Sequence, residues 1–319
     1  MSVSLSPSNN LASGYRGLFR RWFRAVRGTS SNPVSRQDEA QAAPANRWGW
    51  LVLPALIFLV LFFIWPLAFV VVQSFVDPSP GFANYIRLVS SPIVGETFLT
   101  TIETALVATF GALLIGYPYS YLMYISSARV ATILQLAVLI PSWVSFIVRT
   151  YALTVLLRDT GVVNTTLIDL GVISTPLPLI RNNFSVMFGI LAVLLPFMVF
   201  PIFAVMRRIS HDYSRAAAIL GAGPVRTFVR IILPLSMPGV LAGCVLVFVI
   251  GLGFYITPAL LGSGRDLYVA QQVVIAVQHV EWGYGSAISV ALLCVTFTVL
   301  IVASAFVRFR DVFGVGVSE

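Results

Sequence analysis

Six long apolar runs dominate the chain, and short polar stretches separate them. They cover about Trp48–Phe75, Leu99–Ser126, Ala131–Leu156, Phe184–Met206, Leu235–Leu261 and Gly285–Val307. A helix needs about 20 mainly apolar residues to cross about 30 Å of hydrocarbon, and each run is long enough. The pattern predicts an all-α membrane protein with six transmembrane helices. The first run begins far from the N-terminus and is too long for the apolar core of a cleavable signal. It is expected to remain as a helix. Pro118, Pro141, Pro196, Pro201 and Pro258 fall inside runs. Each lacks a backbone donor and can kink a helix, which lipid tolerates where neighbours satisfy the freed carbonyls.

A different periodicity precedes the first run. Tyr15, Leu18, Phe19, Trp22, Phe23 and Val26 repeat at helical spacing, and Arg16, Arg20, Arg21, Arg24 and Arg27 fill the opposite face. The pattern predicts an amphipathic helix over about 15–27, lying on an anionic membrane surface. A disordered tail that only enforces topology is the simpler reading, and an organellar transit peptide is a third. Residues 30–45, rich in Ser, Ala and Pro, read as a flexible linker.

Composition fits lipid rather than water. Hydrophobic residues make up 58% of the chain and charged residues 10%, with mean hydropathy +0.92. A soluble domain carries about 25% charged residues. All twenty basic residues are arginine. Seven precede the first run, five (Arg207, Arg208, Arg215, Arg226, Arg230) crowd the loop after the fourth, and Arg129, Arg308 and Arg310 fall on the same side. The other side holds Arg87, Arg158, Arg181 and Arg265, while Arg149 lies within the third run. Basic loops stay in the cytoplasm, so both termini are expected there, in keeping with an even number of spans. This is a topology bias, not a nucleic-acid face. Cys244 and Cys294 lie in apolar runs and suggest no disulfide framework. His211 and His279 lack ligand spacing, so no metal is expected. Without lysine, a Gly-x-x-x-x-Gly-Lys-Ser/Thr phosphate loop is excluded.

The loop after the fourth run carries the most specific signal. Ala216 to Leu220 favours helix, and Gly221 or Gly223 can end it in the left-handed conformation. Pro224 suits the first position of a second helix, along which Phe228, Ile231 and Ile232 repeat. Pro234 is expected to end the segment before the fifth span. This loop resembles the "EAA" loop of ABC importer permeases, with Ala216, Ala217, Gly221, Ile231, Leu233 and Pro234 in register. Arg215 stands where that family has glutamate, so the glutamate's contact is not carried over. Further segments are similar to permeases of spermidine/putrescine importers: Ile140-Pro141-Ser142-Trp143, Arg149-Thr150-Tyr151-Ala152, Leu195-Pro196-Phe197 and Phe254-Tyr255-Ile256-Thr257-Pro258. The likeness runs from about Trp48 to Val307 and leaves out the N-terminal helix.

The resemblance implies the type I ABC importer permease fold. With the arginine bias it gives a cytoplasmic tail over 1–47 that carries the amphipathic helix, a permease domain over 48–307 with a coupling loop at about 207–234, and a cytoplasmic tail over 308–319. It further implies a second homologous permease, two ATPase subunits that bind ATP and Mg, and an extracytoplasmic solute-binding protein, all in a bacterial inner membrane. The chain itself would be non-catalytic and bind no cofactor. Arg215, Ala216, Ala217, Gly221, Gly223, Pro224, Ile231, Leu233 and Pro234 are the expected ATPase-coupling residues. Candidates for the translocation path are Glu103, Trp143, Arg149, Tyr151 and Tyr255. An intramembrane ionisable group is a functional hypothesis by default, and Glu103 and Arg149 could pair with each other or with a partner permease. Aromatic faces suit a polyamine, whereas a lone Arg149 favours an amino acid, an opine or another zwitterionic or anionic solute. Glu281 and Trp282 are candidates for touching the binding protein. A secondary transporter is a further class, although no related halves are visible.

Overall fold

The computed structural model describes residues 49–263 and 267–312. The expected surface helix over 15–27 and both tails lie outside the described residues, apart from the few residues that continue the last helix. The chain divides into two compact units, 1–66 and 67–319. In the first, α1 (Gly49–Leu59) passes into a π turn (Val60–Ile64); the helix that follows, α2 (Trp65–Val76), belongs to the second unit from Leu67 on. Side chains from Leu53 to Ile64 are exposed apolar groups, with the Phe58 and Phe62 rings stacked at 4.8 Å.

The second unit continues with α3 (Ala83–Ser90), α4 (Pro92–Ile125), α5 (Ala128–Trp143), α6 (Phe146–Leu156), α7 (Val162–Asp169) and α8 (Asn183–Met206). Then come α9 (Asp212–Ile219), α10 (Pro224–Thr227), a second π turn (Phe228–Ile232), α11 (Leu233–Leu252), α12 (Ile256–Leu261), α13 (Val269–Gln278) and α14 (Trp282–Val312). Among the described residues five helices are long and apolar enough to cross a membrane, or six if the bent pair α5–α6 counts as one span.

The core is α4, α8 and α11 packed together. Lipid tails are as apolar as leucine, so side-chain burial alone cannot hold membrane helices together, and close backbone approach must. The sequence supplies it as stripes of small residues. On α4 the buried positions include Thr97, Thr101, Ala105, Ala108, Ala112, Gly116 and Ser120. On α11 they include Ser236, Gly239, Gly243, Val247 and Gly251. The larger side chains of α8 fill these grooves. Leu194, Met198, Val199 and Ile202 are fully buried. A Cβ on Gly239 would lie 2.8 Å from the Pro201 carbonyl oxygen and 3.0 Å from Ile202 Cα. Most buried hydroxyls find partners, as lipid demands: Ser120 Oγ donates to Gly116 O (2.7 Å) and Val199 O (3.1 Å), whereas Thr257 Oγ1 is buried without one among the described residues.

Three expectations need correction. The third run is no straight span, because α5 and α6 meet at 96°. Pro141 lies a few residues before the break at Val144–Ser145, where extended backbone replaces helix. The fifth run also breaks: α11 stops at Leu252, Gly253 and Phe254 close tight turns onto Ile250 and Gly251, and α12 restarts at Ile256. Conversely, Pro234 ends nothing, since helix runs from Pro224 to Leu252. The π turn before it is the reason. Leu233 N–H bonds back to Phe228 O, and this wider turn gives the following ring room where an α-helical ladder would drive it against a carbonyl. The same device precedes Pro66, where Trp65 N–H bonds to Val60 O.

Candidate functional site

The loop between α8 and α11 is a helix–turn–helix braced on the ends of the spans. Asp212 opens α9, where a negative charge meets the positive end of the helix dipole. Ser210 Oγ donates to Asp212 Oδ2 at 3.0 Å, and Arg215 Nη1 lies 3.2 Å from Asp212 Oδ1. That pair is 79% exposed on both sides, so it contributes little to stability. Arg215 therefore points to solvent within this chain. Gly221 ends α9 with φ +79. Ala222 N–H donates to Ala217 O (2.9 Å) and Gly221 N–H to Ala218 O (3.0 Å), the paired bonds of a Schellman motif. Gly223 has ordinary φ and stands before Pro224, which takes the first turn of α10.

Burial divides the loop into two faces. Ala217 is buried, Ile232 is buried, and Ile231, Leu233 and Pro234 are half-buried against the bundle. Ala216, Gly221, Gly223 and Pro224 are exposed. Around them Ile219 (87%), Leu220 (86%) and Val225 (75%) present bare apolar side chains at the tip. Three isolated apolar residues would be ordinary, but here they cluster on one turn, which marks an interaction surface.

An aromatic cluster that the sequence reading missed anchors the loop. Phe228 sits edge-on to Tyr121 (4.9 Å) and Tyr117 (5.9 Å) of α4. Tyr124 stacks on His211 at 4.8 Å. Tyr117 OH and Ser236 Oγ are 3.0 Å apart. The available signal was the tyrosine run Tyr117, Tyr119, Tyr121 and Tyr124 at the end of the second apolar run. Tyr119 instead faces α5 and donates to Leu134 O at 2.8 Å.

The path candidates fall in two places. Arg149 and Tyr151 lie on α6, which packs against α12, and Tyr255 caps α12. Edge-on contact of Phe146 with Phe254 at 5.5 Å joins these elements. Trp143, at the end of α5, is 82% exposed. Glu103 lies apart on an exposed face of α4, and no ion-pair partner stands beside it among the described residues. Within this chain the expected Glu103–Arg149 pair does not form. The guanidinium of Arg149 instead donates to Pro141 O and to Val144 O (3.3 Å), carbonyls at the end of α5, while its Nε is buried without a partner. Glu281 is engaged as well. It pairs with Arg87 at 3.0 Å, and that guanidinium also covers the Tyr284 ring. Among the described residues no group of three or more His, Cys, Asp or Glu is placed to hold a metal.

Comparison with known proteins agrees with this architecture. The family model described as "binding-protein-dependent transport system inner membrane component" matches residues 109–311. Over 257 residues the chain is 33% identical to the spermidine/putrescine transport system permease protein PotB of Escherichia coli K12, covering 80% of this chain and 92% of that protein. To PotB of Haemophilus influenzae it is 34% identical over 230 residues, covering 71% of this chain and 78% of that protein. A solved bacterial alginate ABC transporter, in complex with an alginate pentasaccharide-bound periplasmic protein, shares the fold at TM-score 0.64 and 17% identity, covering 82% of this chain and 93% of that one. The chain belongs to the binding-protein-dependent transport system inner membrane component family and is a permease subunit of an ABC importer, a multi-pass protein of the bacterial inner membrane.

Proposed function

We propose that this permease forms, with a second homologous permease, the translocation path for a polyamine such as spermidine or putrescine. Two separate ATPase subunits drive it and an extracytoplasmic binding protein feeds it. Both termini and the loop at 207–234 face the cytoplasm, where ATP and Mg act in the ATPase and not in this chain. The observation that carries the coupling role is the exposed apolar tip of Ile219, Leu220 and Val225 on a loop whose other face is locked to the bundle. A rigid lever with a bare apolar end suits a groove on another protein. The names of the PotB relatives support the polyamine class. Arg149 keeps its positive charge, but its guanidinium is occupied by backbone carbonyls rather than held free for an anionic solute.

The test is uptake of labelled spermidine and putrescine into proteoliposomes holding the full complex, with ATP enclosed on the loop side. Accumulation that needs both ATP and the binding protein supports the reading. Uptake of an amino acid or opine in place of polyamines keeps the machinery and replaces the solute. ATP hydrolysis by the purified single chain would refute the division of labour.

A further inference from the structure

Beside the loop at 207–234 lies a pocket of 640 Å³ whose lining includes none of the path candidates. One wall is the end of α8 and the start of α9, with Arg207, Arg208 and Arg215. The opposite wall is the start of α5, with Ala128, Thr132 and Gln135. Charge is unbalanced there. The only carboxylate in the lining, Asp212, is already held by Arg215 and Ser210. Arg207 and Arg208 have no ion pair among the described residues.

The pocket's depth is informative. Ala128 opens α5 at the end of the spans, and Gln135 lies seven residues further on, about 10 Å up the helix. Gln135 is half-buried, and its amide makes no hydrogen bond among the described residues. Its amide is accessible rather than enclosed by protein, so it opens to the pocket it lines and can meet a polar ligand there. Alongside, Ile133 (65%), Leu136 (45%) and Ile140 (61%) are exposed apolar groups of the same helix. From loop to span the wall thus offers guanidinium groups, then a hydroxyl and an amide, and the adjoining face of α5, outside the lining, is exposed apolar surface. That order matches a phosphodiester, a glycerol backbone and acyl chains.

We propose that this pocket binds the phosphodiester headgroup of an acidic phospholipid. Basic pockets between membrane helices select such headgroups by charge and by bidentate guanidinium–phosphate bonds. The chain's own N-terminal segment is a poor occupant, since it carries seven arginines and only Asp38 and Glu39 as acids before the first run. A soluble phosphate would satisfy the arginines but would leave Gln135 unmet. Because His211 and Arg215 belong to the same wall, a bound lipid bridges α5 to the base of the coupling loop. The pocket then ties the loop's rigidity to the lipid composition of the membrane.

Native mass spectrometry of the full chain in mixed micelles tests this, with phosphatidylglycerol and phosphatidylcholine of matched acyl chains as probes. The wild type retains phosphatidylglycerol preferentially, and Arg207→Gln with Arg208→Gln lowers that retention about tenfold or more. Arg226→Gln with Arg230→Gln removes equal charge from the same loop outside the pocket and leaves retention near wild type. Gln135→Leu lowers retention with no change of charge, and it carries the test if the arginine variant fails to insert. Millimolar inorganic phosphate neither displaces the lipid nor raises the melting temperature. Equal losses in both arginine variants, no preference for phosphatidylglycerol, wild-type retention in Gln135→Leu, or displacement by phosphate would each overturn the proposal.

Discussion

Gly221 offers a test in which backbone conformation acts alone. Its φ is +79, and a Cβ built there meets nothing within 4 Å. Substitution therefore creates no clash within this chain, and the cost is that of forcing a side chain into the left-handed region. That cost is about 1–2 kcal/mol for alanine and about 2–3 kcal/mol for a β-branched residue in a sparsely populated conformation. Asparagine, which tolerates this region, lies below both. At about 1.4 kcal/mol per tenfold, Gly221→Val lowers the population of the Schellman turn about 30-fold or more. Gly221→Ala lowers it about fivefold or more, and Gly221→Asn less. The strain is confined to an exposed turn, so the bundle is untouched. Uptake by the assembled complex is expected to fall in the order Asn, Ala, Val, while the isolated subunits insert and melt like wild type. Full uptake with valine would refute the conformational argument. Equal loss with asparagine and valine would show that space against a partner, not φ, decides this position.

Gly239 is the opposite case. Its Cβ would meet the backbone at Pro201 O and Ile202 Cα, which cannot swing aside. Gly239→Val is expected to overpack α8 against α11 at a cost of about 1–3 kcal/mol or more, read as a lower melting temperature in detergent. Gly223→Ala, with ordinary φ and open space, leaves melting unchanged. Arg149→Met strips the guanidinium from the Pro141 and Val144 carbonyls and should cost about 1–3 kcal/mol. Because Glu103 is no partner of Arg149, adding Glu103→Gln gives additive effects in a thermal double-mutant cycle. A coupling energy above about 0.5 kcal/mol would contradict the placement of both residues.

Hydropathy made the number and order of apolar runs legible, because an unbroken run must bury or bathe its whole backbone in lipid. Direction was not legible. An apolar run reads the same whether it crosses straight or turns 96° at Val144–Ser145, and the same held for the restart after Gly253. Pro234 misled for a related reason. Proline signals a missing donor, but the preceding π turn that accommodates it has no composition of its own. In the loop at 207–234, Pro224 spoke directly because its fixed φ suits a first helical turn, while glycine marked the helix end without saying whether Gly221 or Gly223 takes the left-handed φ. The clamp of Tyr117, Tyr121 and Tyr124 stayed hidden because its partners, Phe228 and His211, lie about a hundred residues away. For Arg149 the sequence left open a pair with Glu103, a pair with a partner permease and a lone cation. A sequence shows the charge but not the carbonyls that the break between α5 and α6 brings within its reach.

The most direct measurement of the account is a photocrosslink in native cells. A photoreactive residue at Leu220, 86% exposed at the loop tip, or at Val225 should capture an ATPase subunit on illumination. The same residue at Phe62, 68% exposed on the first span, should not. An ATPase adduct from the loop sites alone, with a yield that changes when transport substrate is supplied, is the predicted result. No ATPase adduct from either loop site, or equal capture from Phe62, would contradict the claim that residues 207–234 couple this permease to its motor.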